Sequence, residues 1–202
     1  MKTADSLVKE QPVLKSSAYL AGARDVLARL DFDMVDRIAE QIFKAYKNNH
    51  NVFVFGNGGS AALASHFACD LAKGTATNGL PRLRAIALTD NIPMLTAWAN
   101  DSGYEDIFAE QMLGHIQAGD VALAISGSGN SPNVIRGLEV ARQAGATLIA
   151  LTGYEGGAVK NLCDLCLVVP SDNMQHIEDA HLSVAHALFT ATRHRILHSE
   201  GE

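Results

Sequence analysis

The chain has 202 residues, 48% hydrophobic and 19% charged, with 16 Lys and Arg against 22 Asp and Glu for a formal charge of −6. That length suits one well-buried domain spanning 1–202, and the acidic balance excludes a phosphate-backbone binder, so no nucleic-acid partner is expected. No apolar run approaches the ~20 residues of a membrane span, and the first five residues, Met1 to Asp5, lack the apolar core of a signal peptide. A cytoplasmic protein without membrane contact is expected.

In chain order, residues 5–30 and 33–48 read as an N-terminal helical pair (1–48), with Met34, Ile38, Ile42, Phe43 and Tyr46 at helical spacing in the second. An α/β core (51–198) follows. Short apolar runs at 51–56, 83–89, 120–126, 146–153 and 164–170 alternate with helical stretches at 60–73, 92–99, 104–116, 131–144 and 156–163, then a long helix over 173–198. Near-continuous apolar strands separated by helices predict a doubly wound parallel sheet covered on both faces. The N-terminal helices carry enough Leu, Val and Ile to need a partner surface, which points to a homo-oligomer.

Three cysteines make a poor disulfide framework and fit a reducing compartment. Cys163 and Cys166 form a C-x-x-C that runs into an apolar strand, with no second pair for zinc, so both are expected to be small buried residues. The same is expected of Cys69.

Two strands end in turns crowded with small polar residues. The first leads through Gly56, Asn57, Gly58, Gly59 and Ser60; the third through Ser126-Gly127-Ser128-Gly129-Asn130-Ser131. Ligands of open α/β sheets bind beyond the carboxyl ends of the strands, and backbone N–H groups at a helix N-terminus favour an anion. Gly56-x-Gly58-x-x-Ala61 meets the dinucleotide fingerprint only loosely, because the nearest acid, Asp90, lies 34 residues past Gly56 rather than the usual ~20. There is no G-x-x-x-x-G-K-[ST]. Serines without Lys or Arg suit one terminal phosphate on a small metabolite; the alternative is that they only cap helices.

The stretches GNGGSAALASHFACDL, AWANDSGYEDIFAEQ, SGSGNSPNVIRGLEVARQAGATLIALTGYEGG and VPSDNMQHIEDAHLSVAHAL resemble the sugar isomerase (SIS) domain family, in particular its phosphoheptose isomerase branch. The likeness runs from about Val52 to Leu188. It implies a five-stranded parallel sheet, a homotetramer with active sites at subunit interfaces, and aldose–ketose isomerisation of sedoheptulose 7-phosphate to D-glycero-D-manno-heptose 7-phosphate. By the resemblance, Ser60, Ser126, Ser128 and Ser131 hold the phosphate, Asn57, Gly58 and Gly59 form the substrate loop, and Asn100 and Asp101 are a substrate pair. Gly127 stands where the family usually has Thr.

His66 and Asp70 are four residues apart, on one helical face; Glu178 and His186 are eight apart, offset by about 80° in projection. Two imidazoles and two carboxylates could make a tetrahedral site for zinc or a similar ion. These four positions match the family's zinc positions, one ion per subunit, with Asp70 and Glu178 in place of the usual Glu and Gln. Glu178 is also expected to touch substrate. Isomerisation needs a base, an acid and enediolate stabilisation, and Asp70 and His186 are assigned the acid/base roles. Two rivals stay open: a non-catalytic SIS protein binding a phosphosugar or a replication-initiator protein, and an isomerase of another sugar phosphate. Among neighbouring residues, His181 reads as packing or interfacial, His176 as a solvated first-turn residue, Trp98 as core or pocket lining, Glu105 and Asp106 as a solvated helix start, and Tyr154 to Gly157 as a loop over the ligand.

Overall fold

The computed structural model describes residues 15–77 and 79–198. Five parallel strands, β1 (Asn51–Gly56), β2 (Arg84–Ala87), β3 (Val121–Ser126), β4 (Thr147–Thr152) and β5 (Leu165–Val168), form one sheet in the order β2-β1-β3-β4-β5. The strand order reverses at β1 and β3, the two strands whose turns looked like a site. A crevice opens at such a switch point.

Why these runs become buried strands is visible in their alternation. Val52, Val54, Leu123, Ile125, Ile149 and Leu151 belong to one core, while Phe53, Phe55, Ala122, Ala124, Leu148 and Ala150 belong to the other. Successive side chains point to opposite faces, so both faces must be covered. The first core is shared with α2 (Phe32–Lys47), α3 (Gly59–Cys69) and α8 (Met174–His198); the second with α5 (Ala109–Leu113), α6 (Pro132–Gln143) and α7 (Val159–Leu162). Phe53 and Phe55 are 1% and 0% exposed, and burying such a side chain stabilises the fold by about 2 kcal/mol. At the opposite end of the sheet, buried Asp120 accepts hydrogen bonds from the Asn51 and Gln117 backbone N–H groups at 2.8 and 2.9 Å.

The remaining helices are α1 (Ser16–Leu27) and α4 (Ile92–Asp101). Residues 5–14 of the first expected helix lie outside the described residues. The helix expected over 104–116 is broken: a 3₁₀ turn at Tyr104–Asp106 precedes the short α5. Asp106 is not solvated there; it is 7% exposed and forms an ion pair with Arg136, Nε 2.8 Å from Oδ1, so the turn tucks inward. The helix expected over 60–73 ends as a π-turn at Asp70–Gly74.

Candidate active site

The carboxyl ends of β1 and β3 feed directly into α3 and α6. A cavity of about 160 Å³ lies between them, lined by Asn57, Ser60, Ser126, Gly127, Ser128 and Ser131, with Met174 and Glu178 of α8 opposite. No lysine or arginine is in that wall. Ser131 stands at the N-cap of α6 yet makes no side-chain cap bond, and its hydroxyl meets Ser126 Oγ at 3.5 Å. The cap of α3 is Gly58, at φ +56. Neither helix has a serine side-chain cap bond, and these serines line a small polar hollow at two helix N-termini, a geometry suited to an anion.

The turn at the end of β3 is held closed from outside. Gly129 N–H donates to Ser126 O at 3.0 Å and to Ser126 Oγ at 3.2 Å, and Val159 N–H donates to Gly129 O at 3.1 Å. A Cβ on Gly129 would lie 2.1 Å from Gly156 O, at a φ of +65, so glycine is required there. Gly156 and Gly157 thus buttress the loop. At Gly127, a Cβ would stand 2.6 Å from Met174 Sδ; Met174 fills the space a larger residue would take.

A second cavity, about 300 Å³, adjoins the first. It shares Ser60 and Glu178 with it and runs between α3 and α8 past Leu63 and Leu182 to His66. One turn beyond, His66 Nε2 lies 3.4 Å and His186 Nε2 3.9 Å from Asp70 Oδ2. The imidazoles cross edge to face with centroids 5.2 Å apart. Ligand atoms of His66, Asp70 and His186 fall within 4.8 Å of one another. Two imidazoles and a carboxylate fit zinc, and three protein ligands leave the fourth position for water or substrate, as in catalytic rather than structural sites. Glu178 does not join this group. Its carboxylate lies against Gly59, with Oε1 3.0 Å from where a Gly59 Cβ would be, in the wall between the two cavities.

Asp70 reaches its partners despite its short side chain because the helix changes form beneath it. The π-turn begins at Asp70, and such turns re-aim side chains at functional sites. Close packing holds it against α8. A Cβ on Gly74 would lie 2.6 Å from the Phe189 ring, and Arg193 Nε donates to Gly74 O at 3.1 Å.

Asn100 and Asp101 are not brought to either cavity. They are exposed at the end of α4, where Asn100 Nδ2 donates to Asp101 Oδ1 at 2.7 Å. Sequence reasoning missed Asn133, Tyr104 and Met174. Asn133 and Asn57 exchange amide hydrogen bonds at 2.8 and 2.9 Å, and Tyr104 Oη donates to Asn57 Oδ1 at 3.0 Å. The only hint was that they fall in or beside the same polar stretches as the site residues.

The neighbours sort as follows. His181 is buried, Nε2 donating to Thr152 O at 3.0 Å, and burial pushes its pKa down to about 4. His176 is half-buried rather than solvated; its ring packs on Tyr19 and Nε2 donates to Tyr19 O at 3.1 Å. Trp98 packs on the second core. Cys69 is exposed, not buried as expected, because it falls on the outer face of α3. Cys163 and Cys166 are part-buried, and burial pushes both thiols up, Cys163 to about 12, so neither is a ready thiolate.

Comparisons with known proteins identify relatives over most of the chain. The SIS domain model matches residues 18–153. The phosphoheptose isomerase of Trichlorobacter lovleyi is 42% identical over 76% of this chain and 78% of its own length, and that of Aquifex aeolicus is 45% identical over 75% and 78%. The solved structure of the phosphoheptose isomerase GmhA from Neisseria gonorrhoeae superposes with a TM-score of 0.82 at 32% identity, over 88% of this chain and 96% of that one. A family model over more than half of the chain and relatives 42% and 45% identical over about three quarters of it show that the chain belongs to the SIS domain family and, within it, to the phosphoheptose isomerases.

Proposed function

We propose that this chain interconverts sedoheptulose 7-phosphate and D-glycero-D-manno-heptose 7-phosphate. In this reading it is one SIS domain over 1–202, working in the cytoplasm as a homotetramer with one zinc ion per subunit. The observation that carries the substrate reading is the pair of adjoining cavities. The serine-lined cavity shares Ser60 and Glu178 with the cavity that reaches His66, and His66 lies beside Asp70 and His186, which supports a phosphate held at one end and chemistry at the other. From Glu178 to His186 the helix rises by ~12 Å, the order of length that an open seven-carbon sugar chain spans from its ester to its carbonyl.

The hydroxyls of Ser60, Ser126, Ser128 and Ser131 and the adjacent backbone N–H groups bind the phosphate, fixing the sugar by its unreactive end. Binding energy gained there holds C1 and C2 against α3 and α8. Asp70 takes the proton from C1 of the ketose and returns it to C2, while His186 moves the proton between O1 and O2, so that a ketose becomes an aldose with no net proton change. A zinc ion held by His66, Asp70 and His186 would polarise the carbonyl and its neighbouring hydroxyl. The cavity wall beside His66 is apolar, at Leu63 and Leu182.

The test incubates the purified protein with sedoheptulose 7-phosphate, with and without a chelator, and follows aldoheptose phosphate while bound zinc is measured on the same sample. His186→Ala is expected to lower kcat by at least about a hundredfold, with the fold intact because the residue is half exposed. Full turnover by that variant would remove His186 from the chemistry.

A further inference from the structure

Asn57 lies in the wall of the phosphate cavity, and its amide is held from behind. Its Oδ1 accepts from Asn133 Nδ2 at 2.9 Å and from the Tyr104 hydroxyl at 3.0 Å, while its Nδ2 donates to Asn133 Oδ1 at 2.8 Å. An amide oxygen has two lone pairs and an amide nitrogen two hydrogens. Both acceptor sites are therefore taken, and one of the two N–H groups is given to Asn133. Turning the Asn57 amide over by itself would set its NH₂ against that of Asn133 and its oxygen against the Asn133 oxygen, and would take from Tyr104 the acceptor it now has.

The supports are themselves fixed. Asn133 is 2% exposed at the start of α6, two residues after Ser131 at the N-cap position. Arg136, three residues on, grips Asp106 at 2.8 Å and so anchors the turn that carries Tyr104. Orientation matters here because the cavity has no cation in its wall and does have Glu178. Neutral N–H and O–H donors must supply the attraction for an anion, and an amide that presented its oxygen would repel one.

We propose that Asn133 and Tyr104 are positioning residues that orient the Asn57 amide so that its remaining N–H faces the phosphate. The affinity of the grip is then set partly by two side chains that do not line it. This inference rests on the phosphate reading of the cavity, not on the isomerase chemistry.

The experiment compares the parent protein with Tyr104→Phe and Asn133→Asp, measuring KM and kcat for sedoheptulose 7-phosphate and the Kd of inorganic phosphate by calorimetry. Tyr104→Phe removes only a hydroxyl from an exposed side chain, so the fold is kept. Loss of one neutral hydrogen bond is expected to raise KM and the phosphate Kd together, roughly fivefold, with kcat within about twofold of the parent. Asn133→Asp offers acceptors alone and draws both Asn57 N–H groups to itself, raising the phosphate Kd by more than about tenfold. A folded Tyr104→Phe that binds phosphate as the parent does, or that loses kcat at unchanged KM, overturns the inference. If the parent binds phosphate but does not turn over the heptulose ester, the Kd shifts still decide it and only the isomerase reading fails; a parent that binds no phosphate sinks both.

Discussion

His181 shows how one side chain ties α8 to the sheet beside the β3 turn. Its Nε2 donates to Thr152 O, and Thr152 pairs across the sheet with Ser126 at the start of the β3 turn. The donor must be Nε2–H, because a carbonyl can only accept; Nδ1 is then a bare acceptor, buried without a partner. Protonating the ring would bury a charge, which is why its pKa falls from 6.5 to about 4. The unfolded chain takes up a proton near pH 6.5, whereas the folded one resists until about pH 4. Stability is thus full above pH 6.5 and is lost as pH falls from there toward 4, by up to about 3 kcal/mol from this group. His181→Gln keeps an N–H donor without the titration. In urea melts at pH 7 and pH 4.5, the parent is expected to lose more stability than the variant, by roughly one proton's worth of linkage. Equal losses would mean that His181 is charged in the folded state.

At the scale of elements, the β3 turn and the first residue of α8 must be understood as a pair. At Gly127, where the resemblance leads one to expect Thr, Met174 Sδ and Cε sit 2.6 and 3.2 Å from the missing Cβ. Gly127→Thr alone overpacks the cavity wall, at a cost of about 1–3 kcal/mol, and is expected to raise KM by distorting the serines on either side. Gly127→Thr with Met174→Ala clears the space and is expected to restore KM to the parental value or below, since a hydroxyl is added to the grip. Steady-state kinetics on the single and double variants check this, and a double variant no better than the single would separate the two positions. The need for Met174 was not legible in the sequence, because it depends on two segments 47 residues apart meeting in space. What was legible is what local periodicity determines. The strand runs, the long last helix and the polar turns at β1 and β3 follow from alternation, length and glycine content. Asp70 is the intermediate case: its pairing with His66 follows from helical spacing, but its reach to His186 depends on a π-turn stabilised by Gly74 against Phe189 and by Arg193, which no local pattern encodes.

For the whole molecule, the question is what covers α4. Its sequence is apolar, yet none of its residues is buried: Ile92 is 60% and Met94 38% exposed. It follows β2, the edge strand, where Ile86 is 43% exposed. Exposed apolar side chains on these consecutive elements suit an association surface. The same helix ends in Asn100 and Asp101, which reach neither cavity of their own protomer. A second copy docked on α4 would bury Ile92 and Met94 and could carry the Asn-Asp pair to a neighbouring site, which accounts for both observations with one interface. Burial of one such side chain is worth about 2 kcal/mol, and a symmetric interface counts each residue twice. Ile92→Asp therefore removes two apolar anchors per interface and sets two carboxylates in their place. By light scattering the parent is expected to have the mass of four chains and Ile92→Asp a lower one, with kcat falling in step as the variant is diluted. A parent that is monomeric and fully active would place the whole reaction within one chain and leave α4 without this role.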